Sequence, residues 1–199
     1  MGRKSLARVR KAEILDHFYK VLIEEGFEGA SIAKIARSMD TYPGHITHYF
    51  KTKEEMLIEL VTALLDSYAK IVPGWAKIKD PEKRMDHILK TVFSPDWSQV
   101  ADNRVYYACY YLSLSNREIH TLFKDFYNQF RDILKKEVKM YLASGPGKDP
   151  DNDPETIANA IIAIMSGVGI YNNIADNKKR IEAAGQFARK AVMNFLKNL

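Results

Sequence analysis

The chain has 199 residues, 46 % hydrophobic and 28 % charged, with 30 Lys and Arg against 25 Asp and Glu for a net +5. That balance excludes a disordered chain and leaves enough apolar content for a substantial core. A single cysteine, Cys109, excludes an internal disulfide and fits a reducing cytoplasm, and no apolar run follows the basic N-terminus as a signal peptide requires.

The periodicity is helical from end to end, with no convincing alternating run of β-branched residues. Ile14, Leu15, Phe18, Val21 and Leu22 form one face of a first helix, which Gly26 stops, with Phe27 as the hydrophobic contact that follows. Ser31 caps a short helix that turns Ile32, Ile35 and Ala36 inward. After Asp40-Thr41 a second short helix spans Pro43 to Phe50, with Pro in the first turn, where its missing N–H costs nothing. Thr52-Lys53-Glu54-Glu55 reads as a capping box that opens a long helix, ended by Pro73-Gly74.

Asp80-Pro81-Glu82 starts the next helix, which ends before Pro95. A tyrosine-rich helix runs from about Asp102 to Leu114. Ser115-Asn116-Arg117-Glu118 reads as another capping box, opening a helix to about Ala143 that Gly145-Pro146-Gly147 breaks. Asp153-Pro154 caps a helix uncharged from Thr156 to Ala175, and the last helix begins near Lys178. Nine helices and no sheet are expected. The uncharged stretch matches a membrane span in length, but Asn159, Ser166, Gly167, Gly169, Asn172 and Asn173 dilute it, and a helix buried in an interface is the better reading.

Charge is concentrated at the front. Residues 1–53 hold ten Lys and Arg against six acids, so +4 of the net +5 lies there, as in a polyanion-binding module. In the same segment the helices 31–39 and 43–50, joined by a tight turn, have helix-turn-helix spacing. The second can enter a DNA major groove, with Ile46 and Phe50 inward and small, hydrogen-bonding residues outward.

Ala30-Ser31-Ile32-Ala33-Lys34-Ile35-Ala36-Arg37 and Gly44-His45-Ile46-Thr47-His48-Tyr49-Phe50-Lys51-Thr52-Lys53-Glu54-Glu55-Met56-Leu57 resemble, in order, spacing and distance from the N-terminus, the TetR family of bacterial transcription regulators. Within it, the run Ile46 to Phe50 is similar to the choline-responsive BetI-like branch. The resemblance implies an all-α protein, with a three-helix DNA-binding domain at 1–53 and a six-helix ligand-binding and dimerisation domain at 54–199. It implies DNA contacts from Ser31, Tyr42, Pro43, Gly44, His45, Thr47, His48, Tyr49 and Lys53. Two departures stand out. Asp40-Thr41 replaces the usual Gly-Val at the turn, and Thr47 stands where a phosphate-contacting Tyr is common, a role Tyr49 could take instead. Lys53 matches a phosphate-contacting lysine, and a helix N-terminus with a lysine is a ready anion site.

The resemblance also implies a pocket in the body, for which Trp97, Tyr107, Tyr110, Tyr111, Phe126 and Phe130 are the candidates, although aromatics at helical spacing are mostly core. Such faces can hold a quaternary ammonium. It implies a homodimer through the last two helices, where Ala160, Ala163, Gly167, Ala184 and Ala188 permit close approach and Ile164 and Phe195 add apolar area. The expected partners are thus a palindromic double-stranded operator, a second copy and a small-molecule effector, with no membrane and no cofactor. The function expected is a ligand-released repressor. The rival is an all-α enzyme or small-molecule carrier with an incidental basic head.

Signals for catalysis or metal binding fail one by one. His45 and His48 lack a third ligand, and Cys109 lacks a partner motif. Gly167-Val168-Gly169 accompanies no strand, and Asp149, Asp151 and Asp153 lack the later Gly and Glu of a calcium loop.

Overall fold

Gly26 breaks the first helical run where its sequence position requires. In the computed structural model, which describes residues 3–70, 72–99, 102–144 and 152–199, α1 covers Arg3–Gly29 and its helical geometry is interrupted at Gly26, φ 70 and ψ 175. That backbone region is open to glycine and closed to residues with a Cβ. One turn follows, and the Ala30 amide donates to the Gly26 carbonyl at 3.1 Å.

Helix α2 (Ile32–Ser38) starts on the Ser31 hydroxyl, which accepts from the Lys34 amide at 3.3 Å. It ends in a Schellman motif. The Thr41 amide donates to Ala36 O at 2.9 Å and the Asp40 amide to Arg37 O at 3.1 Å, with Asp40 at φ 50. Helix α3 (Pro43–Tyr49) follows, then α4 (Lys53–Ala69). The capping box at 52–55 forms with a shift. The Glu55 amide donates to Thr52 Oγ1 at 3.1 Å, but the Glu55 carboxylate takes the Lys51 amide at 2.7 Å, not that of Thr52. Helix α4 stops at Ala69, short of the expected Pro73-Gly74. A 3₁₀ turn, Val72–Lys77, takes in both residues.

Helix α5 (Pro81–Val92) is capped by Asp80 as expected, a 3₁₀ turn covers Pro95–Gln99, and α6 is Asn103–Ser113. At α7 (Arg117–Ala143) the expectation needs correcting. Asn116 Oδ1, not Ser115, accepts the Glu118 and Ile119 amides at 3.0 and 3.1 Å, while Ser115 Oγ donates back to Leu112 O. Helices α8 (Pro154–Ile174) and α9 (Lys178–Lys197) complete the chain. Nine α-helices and no strand occur among the described residues. Gly145-Pro146-Gly147, Asp149 and Asp151 lie outside them.

The helices form two compact units. The first holds residues 3–66 and 102–124. Its core includes Ile14, Phe18, Ile35, Ile46, Phe50, Met56 and Val105, all essentially buried. The Asp102 amide donates to Tyr19 Oη at 2.5 Å, which ties α6 to α1. A cavity of about 120 Å³ is lined by residues that include Leu22, Gly26, Phe27, Leu57, Val105 and Cys109. Burial pushes the Cys109 thiol up to about 12, so it stays protonated and unreactive at neutral pH.

The second unit holds residues 67–99 and 125–199, around Trp75, Ile88, Leu89, Leu134, Val138, Tyr141, Ala158 and Leu196. Arg189 on α9 grips both carboxylate oxygens of Asp86 on α5 through Nε and Nη2, at 2.6–3.1 Å. Helix α8 is long and apolar enough, by length and composition, to cross a membrane. Here it packs on α9 and buries Ile157, Ala158 and Ile161.

Candidate nucleic-acid interface

Helix α3 is a two-sided element seven residues long. Ile46 and, just beyond, Phe50 are fully buried. Each anchors the helix by about 1.5–3 kcal/mol. On the other side Tyr42, Pro43, Gly44 and His48 are exposed, and His45, Thr47 and Tyr49 are half-buried. Tyr42 is 69 % exposed, and its ring lies over Gly44, where an added Cβ would come within 3.1 Å of it. His45 sits between Tyr42 and Tyr49, with ring centroids 6.2 and 5.8 Å away, and His48 meets the Tyr49 ring edge-on at 4.9 Å. The Thr47 hydroxyl turns back onto Gly44 O at 3.3 Å. Ser31 is exposed but spends its hydroxyl as the α2 cap.

The expected phosphate ligand Lys53 is already engaged. Its ammonium donates to Phe27 O at 2.9 Å and Ala30 O at 3.3 Å and lies 4.1 Å from the centre of the Phe27 ring. It thereby closes the C-terminal end of α1, and among the described residues its third N–H has no acceptor.

Other cations of the head sort by partner. Arg10 pairs with Glu13, Lys11 with Glu59, Lys20 with Asp16, and Lys34 with Glu25. The side chains of Arg8, Arg37 and Lys51, besides that of Lys53, have no carboxylate partner among the described residues, and the Lys51 ammonium donates to Thr47 O at 3.1 Å. Sequence reasoning did not single out these three as contact residues. Arg37 is readable from its register, one residue beyond the buried pair Ile35-Ala36. Lys51 carries no such signal.

The six pocket candidates divide between the units. Tyr107, Tyr110 and Tyr111 belong to the first. There Tyr111 is 72 % exposed, and Tyr110 leans edge-on against Phe123 at 5.7 Å. Trp97, Phe126 and Phe130 belong to the second and form one aromatic cluster with Tyr68. Phe126 and Phe130 stack at 6.3 Å, Trp97 lies 5.6 Å from Phe130, and Tyr68 lies 5.2 Å from Trp97.

Of the small residues expected at the dimer interface, Ala160, Ala163 and Gly167 are on the surface, Ala184 is half-buried and Ala188 is buried. Ala160, Ile164, Ala188 and Phe195 line an apolar groove of about 310 Å³ between α8 and α9, together with Phe187, 76 % exposed. Ala163 and Gly167 are also exposed, and a Cβ added to Gly167 would meet nothing within 4 Å.

Residues 14–60 match the family of bacterial regulatory proteins described as the tetR family, and residues 80–198 match a tetracyclin repressor-like C-terminal domain. The HTH-type transcriptional regulator BetI of Rhizobium meliloti (strain 1021) is 22 % identical over 185 residues, covering 92 % of this chain and 88 % of that protein. A TetR transcription regulator from Haloarcula marismortui ATCC 43049 shares the fold with a TM-score of 0.80 and 19 % identity, over 92 % of this chain and 96 % of that one. A transcriptional regulator from Saccharomonospora viridis, solved in complex with choline, gives a TM-score of 0.77 and 18 % identity over 96 % of each chain.

Proposed function

Because the chain belongs to the tetR family of bacterial regulatory proteins, DNA-binding transcription regulators that respond to small molecules, we propose that it works as a homodimeric repressor on a palindromic operator. The observation that carries this reading is helix α3. It is pinned from beneath by Ile46 and Phe50 and turns Tyr42, Pro43, Gly44, His45, Thr47, His48 and Tyr49 away from the core. Arg8, Arg37, Lys51 and the free donor of Lys53 supply the phosphate contacts, and Ser31 places the first helix of the motif against the backbone. Phosphate contacts position the protein and base edges specify the site.

Residues 1–53 thus act as the operator-reading part, and 54–199 bind the effector and the second copy. The apolar groove of α8 and α9, with Ala160, Ala163, Ile164, Gly167, Ala184, Ala188 and Phe195, supports dimerisation, since solvent-exposed apolar patches mark interaction sites. Pairing two copies sets their recognition helices about one DNA turn, roughly 34–36 Å, apart. The effector binds among the aromatics of the body, with Trp97, Phe126 and Phe130 supplying faces that suit a quaternary ammonium such as choline. Its binding shifts α4, which starts at the operator-reading part, and a coupling of about 1–3 kcal/mol suffices for release. The protein acts in the cytoplasm, where the operator is.

A gel shift on the DNA upstream of its own gene, across a salt series and with choline added, tests the reading. Affinity that falls linearly with salt on logarithmic axes, and release by choline, are the expected outcomes. Salt-independent or absent binding would remove the DNA function. Operator binding indifferent to choline would remove the effector class alone.

A further inference from the structure

Two histidines of the first unit each meet a hydroxyl through Nδ1, with opposite consequences. His17 Nδ1 is 3.0 Å from Ser38 Oγ, and that hydroxyl gives its one proton to Ile35 O at 2.9 Å. Ser38 is therefore the acceptor, and His17 carries a proton on Nδ1. On the recognition helix, His45 Nδ1 is 3.2 Å from Thr41 Oγ1, and among the described contacts that hydroxyl has no other acceptor. With Thr41 as the donor to Nδ1, the neutral His45 ring carries its proton on Nε2. If the ring gains a second proton, Nδ1–H donates to Thr41 Oγ1 instead and Nε2 keeps its own. Nε2 is a donor in both forms.

We propose that Thr41 is a specificity-determining residue. By fixing the tautomer of His45 it makes His45 a donor toward the DNA. The ring then seeks an acceptor, above all O6 or N7 of guanine. It rejects cytosine, whose major-groove edge offers only the N4 donor. The flanking Tyr42 and Tyr49 rings limit how far the imidazole can turn away from the hydroxyl. Thr41 is a positioning residue that works through His45, and its backbone role is separate, because its amide closes α2 whatever its side chain. This inference rests on α3 entering the major groove, as proposed above.

The test has two arms. In the free full-length protein, nitrogen-detected NMR of the imidazoles should show His45 protonated on Nε2 and His17 on Nδ1. His45 protonated on Nδ1 at neutral pH would overturn the proposal. In the second arm, the wild type and Thr41→Val, Thr41→Ser and His45→Ala select from a random duplex library. The wild type should disfavour cytosine at one position per half-site, and His45→Ala should flatten that position.

Thr41→Val keeps the branched shape and loses the hydroxyl. It should cut the discrimination at that position about fivefold, the worth of one hydrogen bond. The other positions and the salt slope should not change, and Thr41→Ser should restore the preference. Thr41→Ala serves if the valine variant does not fold. Wild-type preference in a hydroxyl-free variant, or failure of serine to restore it, would overturn the role of Thr41. If the wild type enriches no sequence, the operator-binding reading itself falls.

Discussion

At φ 50, Asp40 occupies backbone space that glycine adopts freely and that aspartate tolerates at a cost. The Schellman closure of α2 places that conformation there, so the strain belongs to the turn. Asp40→Gly should raise stability by about 0.5–1 kcal/mol and Asp40→Val should lower it by about 1–2 kcal/mol, read from urea denaturation midpoints. Equal stability in all three would mean that the residue is not left-handed. Gly185 is constrained differently. A Cβ there would stand 2.2 Å from the Phe93 carbonyl oxygen, a backbone atom with nowhere to go. Gly185→Ala should therefore cost about 1–3 kcal/mol by overpacking, and an unchanged melting temperature would refute the close approach of α9 to the end of α5.

Among the elements, α8 shows how one cap couples a helix to pH. The Asp153 carboxylate accepts from the Thr156 hydroxyl and amide and from the Glu155 amide, and these bonds hold its pKa below the ordinary 3.8. A depressed carboxylate contributes stability that is present above its unfolded pKa and lost as pH falls through the folded value. Stability should thus drop on acidification below about pH 4, and Asp153→Asn should lose that dependence, as followed by acid titration of the α-helical signal. Persistence of the same acid limb in the asparagine variant would assign it to other carboxylates. Lys53 ties the start of α4 to the end of α1. Lys53→Ala should lower stability by about 1 kcal/mol through the lost carbonyl contacts. It should also flatten the salt slope of DNA binding by about one unit if its third donor reaches a phosphate. Lost stability with an unchanged slope would leave it as a helix cap only.

For the whole molecule, the exposed face of α8 and α9 separates folding from assembly. Phe187 and Phe195 line the groove and are exposed, and Ile174, 77 % exposed, stands in solvent at the end of α8. Gly167 offers open space in the single chain, so Gly167→Arg should fold with a near-normal helical signal. Buried between two copies, an unpaired arginine costs several kcal/mol. Sedimentation should therefore show a monomer, and operator affinity should fall although no DNA-facing residue has changed. A dimer with normal affinity would move the interface elsewhere.

What the sequence determined by itself were the elements whose cause is one residue acting within about a turn of chain. Gly26, Pro43, Asp80-Pro81 and Asp153-Pro154 act on their own backbone and on amides up to three residues away, and the inward set Ile35, Ala36, Ile46 and Phe50 follows from periodicity. Competition between adjacent capping side chains was not legible, so Asn116 took the role read for Ser115. Contacts across distance were decided only by tertiary structure. Lys53 meets carbonyls 26 and 23 residues earlier, and the Tyr19–Asp102 and Ile23–Arg104 bonds, 83 and 81 residues apart in sequence, place α6 in the same unit as α1. Periodicity shows that a face must be covered but not by what, because any apolar face of suitable shape satisfies the same hydrophobic demand. Which one does is settled by packing.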